Sequence, residues 1–221
     1  MFLKIENYGK LSSETAQARG RRQRRCIKEV GHSCKMIDIL CKLKMEIYHE
    51  RQRLMLCAVH SLNNLFQDRN AYSKEDLDAI SYQLSPDSFV NPHKNMLGLG
   101  NYDVNVMMVA LQQKNYEVLW FDRRLSLETL ELQHIFGFVV NKPSNVNIIG
   151  VEVPVKRPHW FAVRKINESY YNLDSKLSSP ECVGNEEKLL TFLMELLSLP
   201  AVQLLVIVEK IVAENNLWKK Q

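Results

Sequence analysis

The stretch that decides the fold is His159-Trp160-Phe161-Ala162-Val163-Arg164-Lys165-Ile166-Asn167-Glu168-Ser169-Tyr170-Tyr171-Asn172-Leu173-Asp174. Trp160–Arg164 and Tyr170–Leu173 are rich in aromatic and aliphatic residues and flank a polar break, which is the pattern of a β-hairpin. A turn centred on Ile166–Asn167 sets His159 directly opposite Asp174. Directly opposite residues share a face, with side chains roughly 5 Å apart. Asn172, two residues back, points the same way. A slip of two residues leaves Asp174 or Asn172 within diagonal reach of His159, whereas a slip of one turns them to opposite faces. The pairing describes a histidine oriented by a carboxylate. It equally describes a surface hairpin with a cross-strand His–Asp pair.

Outward from this hairpin, Tyr116–Phe121 reads as a strand, and Phe138–Val140 and Gly150–Val153 as short strands with Pro143 between them. Leu204–Val208 is a continuous apolar run suited to one buried strand. Upstream, Leu56, Val59, Leu62, Leu65 and Phe66 follow helical spacing over Leu56–Gln67. Ser73 and Asp76 resemble a capping box, ahead of a helix with Leu77, Ile80 and Leu84 on its apolar face. Asp103 is an N-cap candidate for a helix with a Val104, Met107, Met108 and Leu111 stripe. Ser85–Gly100, with two Pro and two Gly, reads as a long loop. Leu125–Phe136 reads as a helix, and Glu186–Leu199 as an amphipathic helix ended by Pro200. Helices first, then strands with a late helix, predict an α+β fold with a mainly antiparallel sheet.

The 221 residues are 46% apolar and 24% charged, an ordinary globular composition with ample length for a core. No window of 18 apolar residues exists to cross a membrane, and no secretory leader is visible. Five cysteines are too few, and odd in number, for a disulfide scaffold, so reduced thiols in the cytosol are expected. Charge divides unevenly: residues 1–46 carry +6 and residues 47–221 carry −2. Arg19, Arg21, Arg22, Arg24, Arg25 and Lys28 supply most of the basic excess. That run fits a solvated tail, a nuclear signal, or an RNA or weak peripheral membrane contact. The near-neutral body argues against a nucleic-acid partner. Residues 1–45 are expected to be a poorly ordered extension, with a short helix near Met36–Met45, and 46–221 the folded domain.

Cys26, Cys34 and Cys41 are not at zinc-ligand spacing, and no metal or organic cofactor is expected. Cys182 follows Pro180 in an expected loop without an adjacent base. Cys57 stands in the first turn of its helix, where the positive end of the helix dipole favours a thiolate. It also fits a small buried hydrophobe. A thiolate nucleophile needs a histidine held by a third group, and His159 with Asp174 meets that need better than His60. Gln52, five residues before Cys57, offers a side-chain amide beside the helix start, the place for an oxyanion donor alongside the Cys57 N–H.

Tyr48-His49-Glu50-Arg51-Gln52-Arg53-Leu54-Met55-Leu56-Cys57-Ala58-Val59-His60-Ser61-Leu62-Asn63-Asn64 resembles the N-terminal motif of Josephin domains, papain-like cysteine proteases that remove ubiquitin. The resemblance continues through Gly100–Val106, Pro158-His159-Trp160 and Tyr171–Leu177, in the same order, and spans about residues 47–217. It is nearest to the short stand-alone members, in particular the second of the two short forms. It implies a papain-like α+β fold with Cys57 as nucleophile, His159 as general base, Asp174 as the residue orienting it and Gln52 in the oxyanion hole. Asn172 would be a supporting neighbour. The third triad position is Asn in the ataxin-like branch and Asp here. The resemblance further implies ubiquitin and ubiquitinated proteins as partners, and a helical arm over roughly residues 69–100 that helps bind ubiquitin. A weakly active or inactive ubiquitin-binding module remains the alternative.

Overall fold

The computed structural model describes residues 47–52, 55–86, 102–148 and 151–220. The expectations for the 1–45 extension, the Met36–Met45 helix and most of the 85–100 loop lie outside them. Three helices open the described chain: α1 (Cys57–Phe66), α2 (Lys74–Leu84) and α3 (Val104–Gln112). The capping box at Ser73 and Asp76 forms in both directions, and Asp103 accepts from the Asn105 and Val106 N–H groups. Both helices thus begin where a short polar side chain can satisfy the first free N–H groups.

Six strands follow: β1 (Tyr116–Trp120), β2 (Gly137–Ile148), β3 (Val151–Ile166), β4 (Ser169–Asn172), β5 (Glu181–Gly184) and β6 (Gln203–Glu209). They form one sheet in the order β1-β6-β2-β3-β4-β5, with every pairing antiparallel. Helix α4 (Glu186–Ser198) precedes β6, and the short α5 (Lys210–Glu214) follows it.

Both faces of the sheet are covered, which explains the unbroken apolar run in β6. Leu205 and Ile207 face a core shared with Leu62, Leu65, Leu77 and Met107 of the first three helices. Leu204, Val206 and Val208 face a second core with Leu189 and Leu193 of α4 and with Trp218. Strict alternation therefore sends successive β6 side chains into two different cores. The same alternation places Trp160 and Ala162 in the first core and Phe161 and Val163 in the second. At Gly137 the end of α1 comes close to the sheet. A Cβ there would stand 2.6 Å from Leu65 Cδ1 and 3.0 Å from the Val163 carbonyl oxygen.

The structure corrects several sequence expectations. Instead of short strands broken at Pro143, β2 and β3 form one long hairpin in which Pro143 pairs with Pro158. Strand β6 accompanies β2 only from Gly137 to Asn141. Beyond that point the prolines sit in a two-stranded ribbon, where a missing N–H costs no central ladder bond. Leu125–Phe136 is not a helix but two 3-10 turns, Leu127–Thr129 and Leu132–His134. The Glu131 N–H donates to the Trp218 carbonyl and Leu130 bridges Lys219, so backbone groups a helix would use are drawn to the chain's end. Cys182 lies in β5 rather than in a loop. The β3–β4 register is two residues from the one expected: Ile166 pairs Ser169 and Val163 pairs Asn172. Asn167 takes a left-handed φ of 54°, which moves the turn one residue along the chain.

Candidate active site

The register shift decides how His159 meets Asp174. Strand β4 ends at Asn172, and the Leu173 N–H donates to the Ala162 carbonyl at 2.9 Å as the last rung. Asp174 then turns out of the ladder and reaches the ring diagonally, with Oδ1 2.7 Å from His159 Nε2. Asn172 fixes the bend, since its Oδ1 accepts from the Asp174 N–H at 3.1 Å and its Nδ2 donates to Glu181 Oε2 at 3.0 Å. The Lys176 N–H donates to Asp174 Oδ1 at 2.9 Å. His159 is 4% exposed and stacks on Phe161, with ring centroids 6.2 Å apart.

Backbone groups two residues apart on a strand point to the same side, so the Trp160 N–H faces the gap left where β4 departs. Cys57 packs in the same core as Trp160, and the Trp160 and Ala58 backbone N–H groups act on its thiol, favouring the thiolate. Cys57 is the first residue of α1, as its sequence position implied, and is 4% exposed. The expectation of a depressed thiol pKa is corrected. Burial pushes the Cys57 thiol up, outweighing the two N–H groups and the Lys176 charge, while the Asp174 charge adds to the rise. Asp174 goes the other way: burial would raise it, but the His159 hydrogen bond and charge, with the Lys176 N–H and charge, hold it below its ordinary value.

Gln52 is half-buried, and its N–H donates to the Ser175 carbonyl at 2.7 Å, which brings its segment to the loop just after Asp174. Ser175 directly follows Asp174 and Gln52 stands five residues before Cys57, so this backbone bond joins the two halves of the site.

Several residues of this neighbourhood were not singled out by the sequence reading. Glu50 orients His60 by accepting at its Nδ1, and also accepts from the Tyr48 hydroxyl and from Asn63 Nδ2 at 3.0 Å. Burial would raise the Glu50 carboxyl, but the hydrogen bonds from His60, Tyr48 and Asn63 and the His60 charge hold it low. His49 Nε2 lies 3.0 Å from the Asp174 carbonyl oxygen. The available signal was the cluster of buried polar residues His60, Asn63 and Asn64 on an otherwise apolar helix. Buried polar groups require partners, so such a cluster implies a polar segment laid across it. Among the described residues, no group of three or more His, Cys, Asp and Glu side chains is arranged to hold a metal ion.

A helical layer presenting a buried thiol at a helix N-terminus, set against an antiparallel sheet presenting a His–Asp pair, is a papain-like architecture. The sequence specifies the branch. The Josephin family profile matches residues 52–207, and the chain belongs to that family. It is 46% identical over 172 residues to Josephin-2 of Mus musculus and of Homo sapiens, covering 78% of this chain and 91% of each relative. A Josephin-like protein of Drosophila melanogaster is 50% identical over 148 residues, covering 66% of this chain and 67% of that protein. Ataxin-3 of Homo sapiens is 28% identical over 160 residues, covering 63% of this chain and 39% of that protein.

Proposed function

We propose that this chain is a cysteine-type deubiquitinase that hydrolyses the isopeptide or peptide bond after the C-terminal glycine of ubiquitin. The Josephin family is in general one of such enzymes, and the chain's membership supports the class of reaction. The observation that carries the reading is the 2.7 Å His159–Asp174 pair, with His159 on the strand whose next residue, Trp160, shares a core with Cys57 and acts through its N–H on the thiol.

On this reading the roles follow from occupied and available atoms. Asp174 engages His159 Nε2, so Nδ1 takes the Cys57 proton. The resulting imidazolium is stabilised by the carboxylate. This transfer offsets the burial that keeps the resting thiol protonated. Sulfur bonds to the glycine carbonyl carbon, and the oxyanion is held by the Cys57 N–H and the Gln52 side-chain amide. Such a donor contributes about 3–4 kcal/mol in comparable sites. His159 returns the proton to the leaving amine as the C–N bond breaks, leaving a thioester. Water, losing a proton to His159, then displaces the sulfur and frees the ubiquitin carboxylate. Asn172 acts through Asp174 by fixing its backbone. The proposed place of action is the cytosol.

The test is labelling of the wild-type chain and Cys57→Ala by ubiquitin carrying a thiol-reactive C-terminal electrophile. A single-ubiquitin adduct on wild type alone is expected. Reversible binding with no adduct would favour a ubiquitin-binding module, and neither would remove ubiquitin as the partner.

A further inference from the structure

Helix α1 carries Cys57 at its first position and Asn64 seven residues on, two turns along the same face. Asn64 is fully buried, and its carboxamide is committed to the two chain segments that flank the site. Its Oδ1 accepts from the Glu50 N–H at 2.6 Å, while its Nδ2 donates to the Glu50 carbonyl at 3.4 Å. The side chain thus pairs with the Glu50 backbone much as a neighbouring strand would. The same Nδ2 donates to the Leu173 carbonyl at 2.9 Å. Glu50 is two residues before Gln52, and Leu173 is immediately before Asp174. One side chain on the nucleophile's helix therefore ties down both the Gln52 segment and the Asp174 turn.

Other contacts draw the same segments together: the Gln52 N–H on the Ser175 carbonyl, and His49 on the Asp174 carbonyl. These join the two segments to each other. Asn64 joins both to the helix that bears the thiol.

We propose that Asn64 is a positioning residue for the reaction, setting the Asp174 turn and the Gln52 segment against the Cys57 helix. This rests on the active-site reading above. Asn64 touches no reacting atom and acts through Asp174 and Gln52. Loosening the Asp174 turn weakens its hold on His159 and with it thiolate formation. Loosening the Gln52 segment weakens the oxyanion donor. The expected signature is loss of turnover with retention of ubiquitin affinity.

The experiment compares the wild-type chain with Asn64→Asp, Asn64→Ser and Leu193→Ala. Asn64→Asp keeps the shape but turns an acceptor toward the Leu173 and Glu50 carbonyls. Leu193→Ala lowers stability from the opposite core. Two readouts are taken below each variant's unfolding transition: kcat and KM for a fluorogenic ubiquitin C-terminal amide, and the pH profile of Cys57 alkylation by iodoacetamide. A misplaced site costs on the order of a hundred-fold, so both Asn64 variants should lose about ten- to a hundred-fold in kcat and in neutral-pH alkylation. KM should stay within about two-fold, and Leu193→Ala should keep all three values near wild type. The proposal is overturned if the Asn64 variants lose no more than Leu193→Ala, or if neither Asn64 variant folds and the residue proves purely structural. If wild type alkylates readily yet cleaves no ubiquitin substrate, the deubiquitinase reading fails. The clamp is then judged on alkylation alone.

Discussion

Replacing Asp174 separates the two things it supplies to His159, an acceptor in a fixed place and a negative charge. Oδ1 accepts from His159 Nε2 at 2.7 Å and from the Lys176 N–H at 2.9 Å. Asp174→Asn can keep an oxygen in that position and loses only the charge. Hydrogen bonds to charged groups contribute about 1.5–3 kcal/mol against about 1 for neutral ones, so the difference is about 1 kcal/mol. If it acts on the imidazolium formed during reaction, it corresponds to roughly a five- to ten-fold loss of kcat. Asp174→Ala removes both bonds, leaves the buried His159 donor unpaired at about 1–3 kcal/mol, exposes the Lys176 N–H to water and frees the ring to turn. Its expected loss is about a hundred-fold beyond that of Asp174→Asn. Steady-state cleavage of a ubiquitin C-terminal amide, with thermal unfolding measured beside it, reads both variants. Equal losses would refute the division, since orientation would then contribute nothing and charge everything.

Other perturbations test separate parts of the structure. Cys57→Ala should abolish turnover while changing unfolding free energy by about 1 kcal/mol, since one small buried side chain replaces another; a calorimetric scan checks the second half. Asp174 and Glu50 are both held below their ordinary values of 3.8 and 4.5. The unfolded chain therefore binds their protons first, and the stability they contribute is present above those values and lost as pH falls through the lowered ones. Denaturant midpoints measured down through the acid range should fall, and Glu50→Gln should flatten part of the slope; an unchanged slope would remove Glu50 from this account. Gly137→Ala should destabilise by about 1–3 kcal/mol, because the Val163 carbonyl is backbone and cannot yield as Leu65 can; a variant as stable as wild type would contradict the close approach of α1 to the sheet.

Much of this was legible because periodicity and caps are local signals. The capping box at Ser73, the Asp103 cap and the apolar run of β6 are each visible within a few residues. His159 and Asp174 were legible as a pair because two strands separated by a short turn have few registers. The register itself was misjudged, since whether Asn167 takes a left-handed φ is a choice between adjacent polar residues. The Leu125–Phe136 segment failed for a non-local reason: its carbonyl and amide partners lie at Trp218 and Lys219. The network around Asn64 was hidden likewise, since its three partner groups are backbone atoms 14 and 109 residues away. Backbone acceptors leave no trace in residue type.

The position of β6 also has a temporal meaning. Residues 203–209 form the strand that separates β1 from β2, so an interior strand of the sheet is made after both of its neighbours. During synthesis β2, β3 and β4 can pair as a local meander and bring His159 toward Asp174 early. Strand β1 must wait for a segment some ninety residues downstream, a long loop to close before any contact rewards it. Until then the apolar edge of β2 stands open, and a growing chain of this protein is most exposed to edge-to-edge association just before its last strand arrives.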